Sequence, residues 1–293
     1  MRDPSELAEV PRLRDPVMVA AFEGWNDAGE AASSALSHLE QVWGARRLVE
    51  LDPEDYHDFQ VNRPTVSVSE DGRRSITWPT TRLSWASPPG ARRDVVLVRG
   101  IEPSMRWRSY VAELLTFAER LGVSTVVTLG ALLADVPHTR PIPVTTTSDD
   151  VDLLRELALE RSRYEGPTGI VGVLSEFSAR AGLPGLSLWA AVPHYVGQSP
   201  SPKASLALLR RVEELLDVTV PLGSLPEDAR AWEHGVDELA AEDSEIGEYV
   251  HQLEQAKDTA ELPEASGEAI AREFERYLRR RDDGGPAGAP GPG

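Results

Sequence analysis

The chain of 293 residues repeats one local pattern, a short apolar run followed by a loop and then by a helix with one apolar face. The pattern recurs over 16–43, 94–121 and 186–217. Apolar runs bounded by turn residues are typical of buried parallel strands, and a helix after each run returns the chain across the sheet. The alternation stops near residue 222. It therefore predicts one α/β domain over about 16–222.

One interruption of this pattern predicts an inserted β-hairpin. Residues 65–69 and 75–78 flank Asp71-Gly72, a dipeptide typical of two-residue hairpin turns, and the first of them alternates apolar with polar side chains. We therefore expect a mixed sheet rather than a purely parallel one.

Charge distinguishes the C-terminal part of the chain from the rest. The formal net charge is −18, and residues 226–283 alone hold 18 acidic against 7 basic side chains. Apolar residues in this region recur at three- and four-residue steps, which indicates helices. We expect an N-terminal arm over 1–15, an α/β/α core domain over 16–225, an acidic α-helical extension over 226–283 and a disordered Gly/Pro/Ala tail over 284–293.

Composition and motifs exclude several classes of function. The acidity disfavours nucleic acid and anionic membranes as partners. The absence of cysteine removes disulfides, thiolate metal sites and thiol nucleophiles. The histidines lack zinc-ligand spacing, and neither a Walker loop nor a nucleophile elbow is present, so we expect no metal and no cofactor. The sequence shows neither a signal peptide nor a membrane-spanning run, which favours a cytoplasmic location.

The loop after the first predicted strand carries candidate binding residues. It reads Glu23-Gly24-Trp25-Asn26-Asp27 and leads into a helix. Ligands of open α/β folds bind at the carboxyl ends of parallel strands. Two interpretations stay open: a binding site, or a capped helix start in which Trp25 packs against the protein. Phosphate is a poor candidate ligand, because Glu23 and Asp27 place negative charge at the helix terminus.

Three further segments add candidate residues to the same predicted edge of the sheet. They are Glu102, Arg106 and Trp107; the turn Gly166-Pro167-Thr168-Gly169; and Pro193, His194 and Tyr195 with Lys203 further along the chain. Arg106 beside Trp107 is more typical of a surface contact than of a substrate clamp. His194 is either a structural histidine or a general base. We expect all of these segments to gather with Trp25 on one rim of the sheet.

Several of these motifs in combination resemble one family. The segment Phe-Glu-Gly-Trp-Asn-Asp-Ala-Gly-Glu-Ala-Ala-Ser at 22–33, the turn at 166–169, and Pro193–Tyr195 with Ser201-Pro202-Lys203-Ala204 are similar to the proteasome assembly chaperone 2 family, in its actinobacterial branch. The resemblance covers about 16–280. It implies a three-layer α/β/α sandwich of the phosphorylase/hydrolase-like type and a homo-oligomer, with trimers as the form of bacterial relatives. Eukaryotic relatives hold proteasome α-subunits during ring assembly.

Two functions from different classes follow. The resemblance favours a non-enzymatic, chaperone-like protein that binds proteasome subunits or another protein and also binds itself. The alternative is a nucleoside-phosphorylase-like or hydrolase-like enzyme that acts on a small molecule at the strand ends, with Asp27, Glu102 and His194 transferring protons. The enzyme hypothesis requires those three side chains to converge on one concave pocket.

Overall fold

The computed structural model describes residues 12–159, 161–162, 164–197 and 200–261. Most of the predicted N-terminal arm, the end of the acidic extension and the predicted tail lie outside these residues. The described elements in chain order are β1 (Val17–Glu23), α1 (Ala31–Val42), β2 (Arg46–Glu50), α2 (Pro53–Tyr56), β3 (Thr65–Val68), β4 (Arg74–Thr77), β5 (Arg82–Ala86), β6 (Val95–Ile101), α3 (Trp107–Leu121), β7 (Thr125–Ala134), β8 (Val144–Thr147), α4 (Val151–Glu156), α5 (Ile170–Arg180), β9 (Gly185–Pro193), α6 (Pro202–Leu216), α7 (Leu225–Glu242) and α8 (Ser244–Glu261).

Seven strands form one mixed sheet in the order β2-β5-β6-β1-β7-β9-β8. The four central strands, β6, β1, β7 and β9, are parallel to one another. The β5 strand pairs antiparallel with both β2 and β6, and β8 pairs antiparallel with β9. Every residue from Val17 to Phe22 in β1 is buried. A strand covered on both faces needs no polar alternation, which explains its continuous apolar sequence.

Helices cover both faces of the sheet, so the predicted three-layer α/β/α sandwich is confirmed. The α1 and α6 helices pack on one face, and α3 and α5 pack on the other. The α7 helix packs against α6, and α8 packs against α7. The break between α7 and α8 falls at Asp243, whose backbone is extended. Within the described residues, no helix combines the length and the apolar character needed to span a membrane.

The predicted hairpin is present as a separate two-stranded sheet. Val66 lies opposite Ile76, and Ser67 lies opposite Ser75. Every residue of both strands is exposed. The alternation therefore places Val66, Val68 and Ile76 on one uncovered face and hydroxyl side chains on the other.

The β5 strand is the element of the main sheet that its sequence does not predict. Its residues read Arg-Leu-Ser-Trp-Ala, with no apolar run, although it lies between β2 and β6. Partners distant in sequence satisfy its polar side chains. Ser84 Oγ donates to Glu40 Oε1 at 2.8 Å, and Arg82 Nε donates to Glu50 Oε1 at 2.6 Å. Tertiary contacts thus outweigh its weak local pattern.

Candidate functional site

The carboxyl ends of the four parallel strands form one edge of the sheet. The strand register places Glu23 at the end of β1 beside Ile101 at the end of β6. It likewise places Ala134 at the end of β7 beside Pro193 at the end of β9. The segments that follow these strands therefore start from the same edge of the molecule, which is where α/β folds carry their binding sites.

Backbone hydrogen bonds hold the loop after β1. Glu102 N donates to Glu23 O at 2.9 Å, and Ala131 N donates to Asn26 O at 2.8 Å. Gly24 adopts φ +122°, a conformation that favours glycine, and a Cβ there would lie 3.3 Å from Glu102 Cβ. The loop therefore crosses the edge from the β6 side to the β7 side in one defined conformation.

Asp27 caps the helix that follows this loop. Its Oδ1 accepts hydrogen bonds from Ala32 N at 2.7 Å and from Ser33 N at 3.2 Å. Burial raises the pKa of Asp27 above its usual value, against the opposing effect of the hydrogen bonds with Ser33 and Ala32. Its Oδ2 is buried and has no hydrogen-bond partner among the described residues. The side chain thus has the geometry of a structural cap.

Asn26, Glu102 and Gly169 meet beside the same loop. Glu102 Oε1 accepts a hydrogen bond from Ile170 N at 2.8 Å, so the carboxylate caps the start of α5. A Cβ on Gly169 would collide with Asn26 Oδ1 and with Glu102 Oε1, so the close approach requires glycine. Asn26, Glu102 and Gly169, which were predicted from separate segments, therefore lie together. Their contacts hold the backbone at the start of α5 against the loop after β1.

The rest of the turn before α5 is exposed, and it makes local contacts. Tyr164 Oη donates to Pro167 O at 2.9 Å. Gly166 lies against the Tyr164 ring, and Thr168 Oγ1 lies against Gly172. The hydrogen bond from Ile170 N to Glu102 places this turn on the Glu102 side of the edge.

The side chains of Arg106 and Trp107 contact residues outside the loop at 23–27. Arg106 forms an ion pair with Asp55, and its Cζ lies 5.9 Å from the centre of the Tyr56 ring. Trp107 Nε1 donates to Pro103 O at 2.6 Å. In the described part of the chain, no hydrogen bond or ion pair joins either side chain to the loop at 23–27. Arg106 therefore has the surface contact that its sequence context favours.

On the β7–β9 side, His138 joins the edge to the acidic helices. The backbone N–H of His138 donates to Tyr195 Oη at 2.8 Å, and Nδ1 lies 2.8 Å from the same oxygen. Because the Asp237 carboxylate can only accept, Nε2–H donates to its Oδ1 at 2.9 Å, and in the neutral ring Nδ1 then accepts the hydrogen bond from Tyr195 Oη. Burial raises the pKa of Tyr195 to about 12, which keeps the phenol protonated.

His194 lies in a ring of aromatic and acidic groups. Its Nδ1 is 3.4 Å from Asp135 Oδ1, and its ring centre is 5.2 Å from that of Tyr249 on α8. Tyr249 Oη donates to the same Asp135 oxygen at 3.0 Å. The His194 side chain is 45% exposed, so it faces solvent rather than an enclosed pocket.

Further side-chain contacts hold the loop at 135–140 against α6, α7 and α8. Lys203 Nζ donates to His138 O at 2.5 Å and forms an ion pair with Glu233. Arg140 Nη2 donates to Asp258 Oδ2 at 2.8 Å. We call His138, Arg140, Lys203 and their partners on α7 and α8 the latch. Lys203, a predicted binding residue, is thus part of the latch.

An exposed apolar group lies between these two halves of the edge. Trp25 is 63% exposed, and Leu132 and Leu133 are 45% and 49% exposed. Trp25 precedes Asn26, which is hydrogen-bonded to Ala131, and the two leucines follow Ala131 directly. We call Trp25, Leu132 and Leu133 the strand-end surface.

The sequence did not predict the exposure of the two leucines, which lie in a continuous apolar run. Pairing of β7 with β1 ends at Leu129, whereas pairing with β9 continues to Ala134. The end of β7 therefore projects beyond β1 and leaves both leucines uncovered. The unusual length of the apolar run, compared with those of β1 and β6, was the available signal.

The three residues of the enzyme hypothesis have separate partners. Asp27 caps α1, Glu102 caps α5, and His194 lies beside Asp135. Among the described residues, no hydrogen bond or ion pair joins any two of them. Over the same residues, no group of three or more histidine and carboxylate side chains is placed to hold a metal ion.

Comparison with known proteins identifies the family. The model of the PAC2 family matches residues 21–240. This chain belongs to the PAC2 family. The matched range includes the strand-end segments described above and nearly all of α7, whereas α8 lies beyond it.

Solved structures include close PAC2 relatives. A PAC2 family protein from Streptomyces avermitilis is 64% identical, with a TM-score of 0.77, over 80% of this chain and 100% of that one. A proteasome-assembly chaperone homologue from Mycobacterium tuberculosis is 54% identical, with a TM-score of 0.73, over 80% of this chain and 99% of that one. PbaB from Pyrococcus furiosus, an archaeal proteasome activator, is 20% identical with a TM-score of 0.63 over 80% of this chain and 96% of that one, and shares the fold. Among curated proteins, none matches this chain significantly.

Proposed function

We propose that this PAC2 protein is a non-enzymatic, chaperone-like assembly factor that binds proteasome subunits through the strand-end surface. The observation that carries the proposal is the exposed group of Trp25, Leu132 and Leu133 at the carboxyl edge of the sheet. The chain that carries this surface is 54% identical to a protein described as a proteasome-assembly chaperone homologue. We place this activity in the cytoplasm.

The chemistry of the strand-end surface suits protein binding. Leu132 and Leu133 are neighbours on β7 and face opposite sides of the sheet, so exposed apolar side chains lie on both sides of this edge. Exposed apolar side chains are typical of interaction sites, and a tryptophan is a common energetic anchor of an interface. The segments that carry these side chains also hold three exposed carboxylates, Glu23, Glu30 and Asp135. A partner face with an apolar pocket and basic residues at its rim complements this arrangement.

The geometry supports the enzyme alternative less well. Acid–base catalysis requires the acid and the base to reach the same substrate atoms. Instead, Asp27 and Glu102 each accept hydrogen bonds from backbone N–H groups at helix starts, while His194 lies with Asp135 and Tyr249. Each group therefore has a structural role that accounts for its position.

For self-association, we propose a homotrimer that uses the β3–β4 hairpin. An isolated two-stranded hairpin is only marginally stable in water, so its apolar face of Val66, Val68 and Ile76 needs a cover. The hairpin region at 61–80 holds three arginines against two acidic residues, whereas the chain as a whole carries −18. Its local positive charge complements the acidic surface of another copy.

Co-purification tests the proposed function. Tagged full-length protein is mixed with proteasome α- and β-subunits from the same organism, and the retained subunits are quantified. We expect Leu133→Ser to reduce retention at least tenfold, because it removes an apolar contact from the interface. Leu239→Ser is the matched control, since Leu239 lies on α7 with a similar exposure of 42%.

Two results would refute this proposal. The first is equal retention of subunits by the wild-type protein and by Leu133→Ser. The second is phosphorolysis or hydrolysis of a nucleoside by the wild-type protein that Asp27→Asn abolishes, because turnover dependent on that carboxylate is incompatible with a purely structural cap.

A further inference from the structure

A cleft of about 380 Å³ lies between α6, α7 and the segment that enters β8. It is separate from the strand-end surface, and the latch residues Lys203 and Glu233 close one end of it. Its volume is at the lower end of the range typical of small-molecule sites.

Two helical stripes form the long walls of the cleft. On α6, the lining residues follow the spacing of one helix face from Lys203 to Glu214. On α7, they follow it from Pro226 to Glu233. The short link from the end of α6 to the start of α7, together with the ion pair between Lys203 near the start of α6 and Glu233 in the middle of α7, shows that the two helices run antiparallel. Arg210 lies on the α6 wall of the cleft and Arg230 on the facing α7 wall.

The charges in the cleft do not cancel. Lys203 is paired with Glu233, and Arg211 is paired with Glu214 at 2.9 Å. Arg211 also donates to Thr146 Oγ1 at 3.0 Å. Arg210 and Arg230 have no hydrogen bond or ion pair within the described ranges. The cleft thus presents two uncompensated guanidinium groups in a protein whose net charge is −18.

The other lining residues are mainly apolar. The segment before β8 contributes Ile142, α6 contributes Leu206 and Ala207, and α7 contributes Ala229. A guanidinium group binds carboxylate or phosphate oxygens through two parallel hydrogen bonds, and an apolar wall accepts the hydrocarbon part of the same molecule. The lining therefore matches a ligand with one anionic end and one apolar part.

We propose that this cleft binds a small organic anion whose phosphate or carboxylate group contacts Arg210 and Arg230 while its apolar part lies against Ile142, Leu206 and Ala229. The ligand occupies the groove between α6 and α7, beside the latch. This site is independent of the proposed function, because neither arginine belongs to the strand-end surface.

Calorimetric titration of the full chain with three probes tests the proposal. Phenyl phosphate carries both features, inorganic phosphate carries only the charge, and phenol carries only the ring. We expect saturable binding of phenyl phosphate that is stronger than that of inorganic phosphate, and no saturable binding of phenol. Benzoate, offered in parallel, distinguishes a preference for carboxylate from one for phosphate.

Variants locate the binding. Arg210→Gln and Arg230→Gln should each weaken phenyl phosphate binding at least tenfold, since each removes a charged hydrogen bond to the anion. Arg108→Gln is the matched control, because Arg108 is an exposed helical arginine on α3, on the opposite face of the sheet. Each variant is checked for an unchanged unfolding temperature in the absence of probe.

Four results would overturn the proposal. The first is that none of the anions binds saturably. The second is that phenyl phosphate binding is unchanged in both cleft variants. The third is that Arg108→Gln weakens this binding as much as the cleft variants do. Saturable binding of an acidic peptide in place of all the small anions would also overturn it, and would assign the cleft to a protein partner.

Discussion

The two halves of the strand edge are built by different means. In the β1–β6 half, carboxylates accept hydrogen bonds from backbone N–H groups: Asp27 caps α1 and Glu102 caps α5. In the β7–β9 half, side chains of the edge pair with side chains of the acidic helices, such as His138 with Asp237. The first half is fixed by the core itself, whereas the second depends on α7 and α8.

This difference shows which part of the site can change without loss of the fold. Caps and backbone contacts belong to the packed sandwich and open only when it unfolds. The latch joins side chains rather than backbone groups, and its Arg140–Asp258 pair lies at the surface, where individual ion pairs contribute little. The strand-end surface lies between the two halves, so its position is fixed on one side and is adjustable on the other.

The largest expected effect tests the rigidity of the β1–β6 half. Gly169→Ala should lower the free energy of unfolding by about 2–3 kcal/mol, because the added Cβ collides with Asn26 and Glu102. Denaturant unfolding measures the change. Gly235→Ala on α7 is the control, since a Cβ there meets nothing and should raise stability by up to about 1 kcal/mol. If Gly169→Ala and Gly235→Ala changed the free energy of unfolding equally, the β1–β6 half would not be more rigid than the half that depends on α7 and α8.

The next effect tests the latch. His138→Leu should cost about 2 kcal/mol, because it removes both side-chain hydrogen bonds of a fully buried histidine. Hydrogen exchange should accelerate mainly in α7 and α8, while β1 and β6 keep their protection. His234→Leu serves as the control, since His234 is exposed and has one surface ion pair. Acceleration spread evenly over the sheet would show that the latch and core are one unit.

A smaller effect is expected at the cap of α1. Asp27→Ala should cost about 1 kcal/mol, because Ala32 N and Ser33 N lose their acceptor. Thermal unfolding at neutral pH measures it. Asp27→Asn keeps an acceptor oxygen and should lose less stability than Asp27→Ala. If the two variants lose the same amount, the side chain does not act as a cap.

The smallest effect is a pH dependence at the same residue. Burial raises the folded-state pKa of Asp27 above 3.8, so ionisation destabilises the folded state relative to the unfolded state. This penalty is fully present above the folded-state pKa, and it disappears as the pH falls below 3.8. Because Asp27→Asn lacks the penalty, its stability relative to wild type should rise as the pH increases through this window. Urea unfolding at a series of pH values provides the test, and a fall would contradict the assigned direction.

Much of the fold could be predicted because its signals are local. Four parallel strands are apolar runs, and the hairpin is marked by Asp71-Gly72. The β5 strand could not be predicted, because its short sequence has no apolar run and its pairing with β2 and β6, supported by Glu40 and Glu50, forms only in the assembled sheet. Membership of the family, also predicted from local motifs, was confirmed.

The candidate site was less predictable, because its decisive contacts are distant in sequence. Of the two interpretations of the loop before α1, the capped helix start describes Asp27, but the packing of Trp25 that it includes is wrong, because Trp25 is exposed. By contrast, His138 and Asp237 are separated by 99 positions, and no local pattern indicates that they pair. The exposure of Leu133 depends on how far β7 extends beyond β1, which appears only when the strands are assembled.

The most direct test of the account is hydrogen exchange of the full chain with and without bound proteasome α-subunits. Binding through the strand-end surface predicts slower exchange at residues 24–30 and 131–136, with the β3–β4 hairpin unchanged by the α-subunits. Protection confined to α7 and α8, or absent from both strand-end segments, would contradict the claim that this PAC2 protein docks its partner at the carboxyl edge of its sheet.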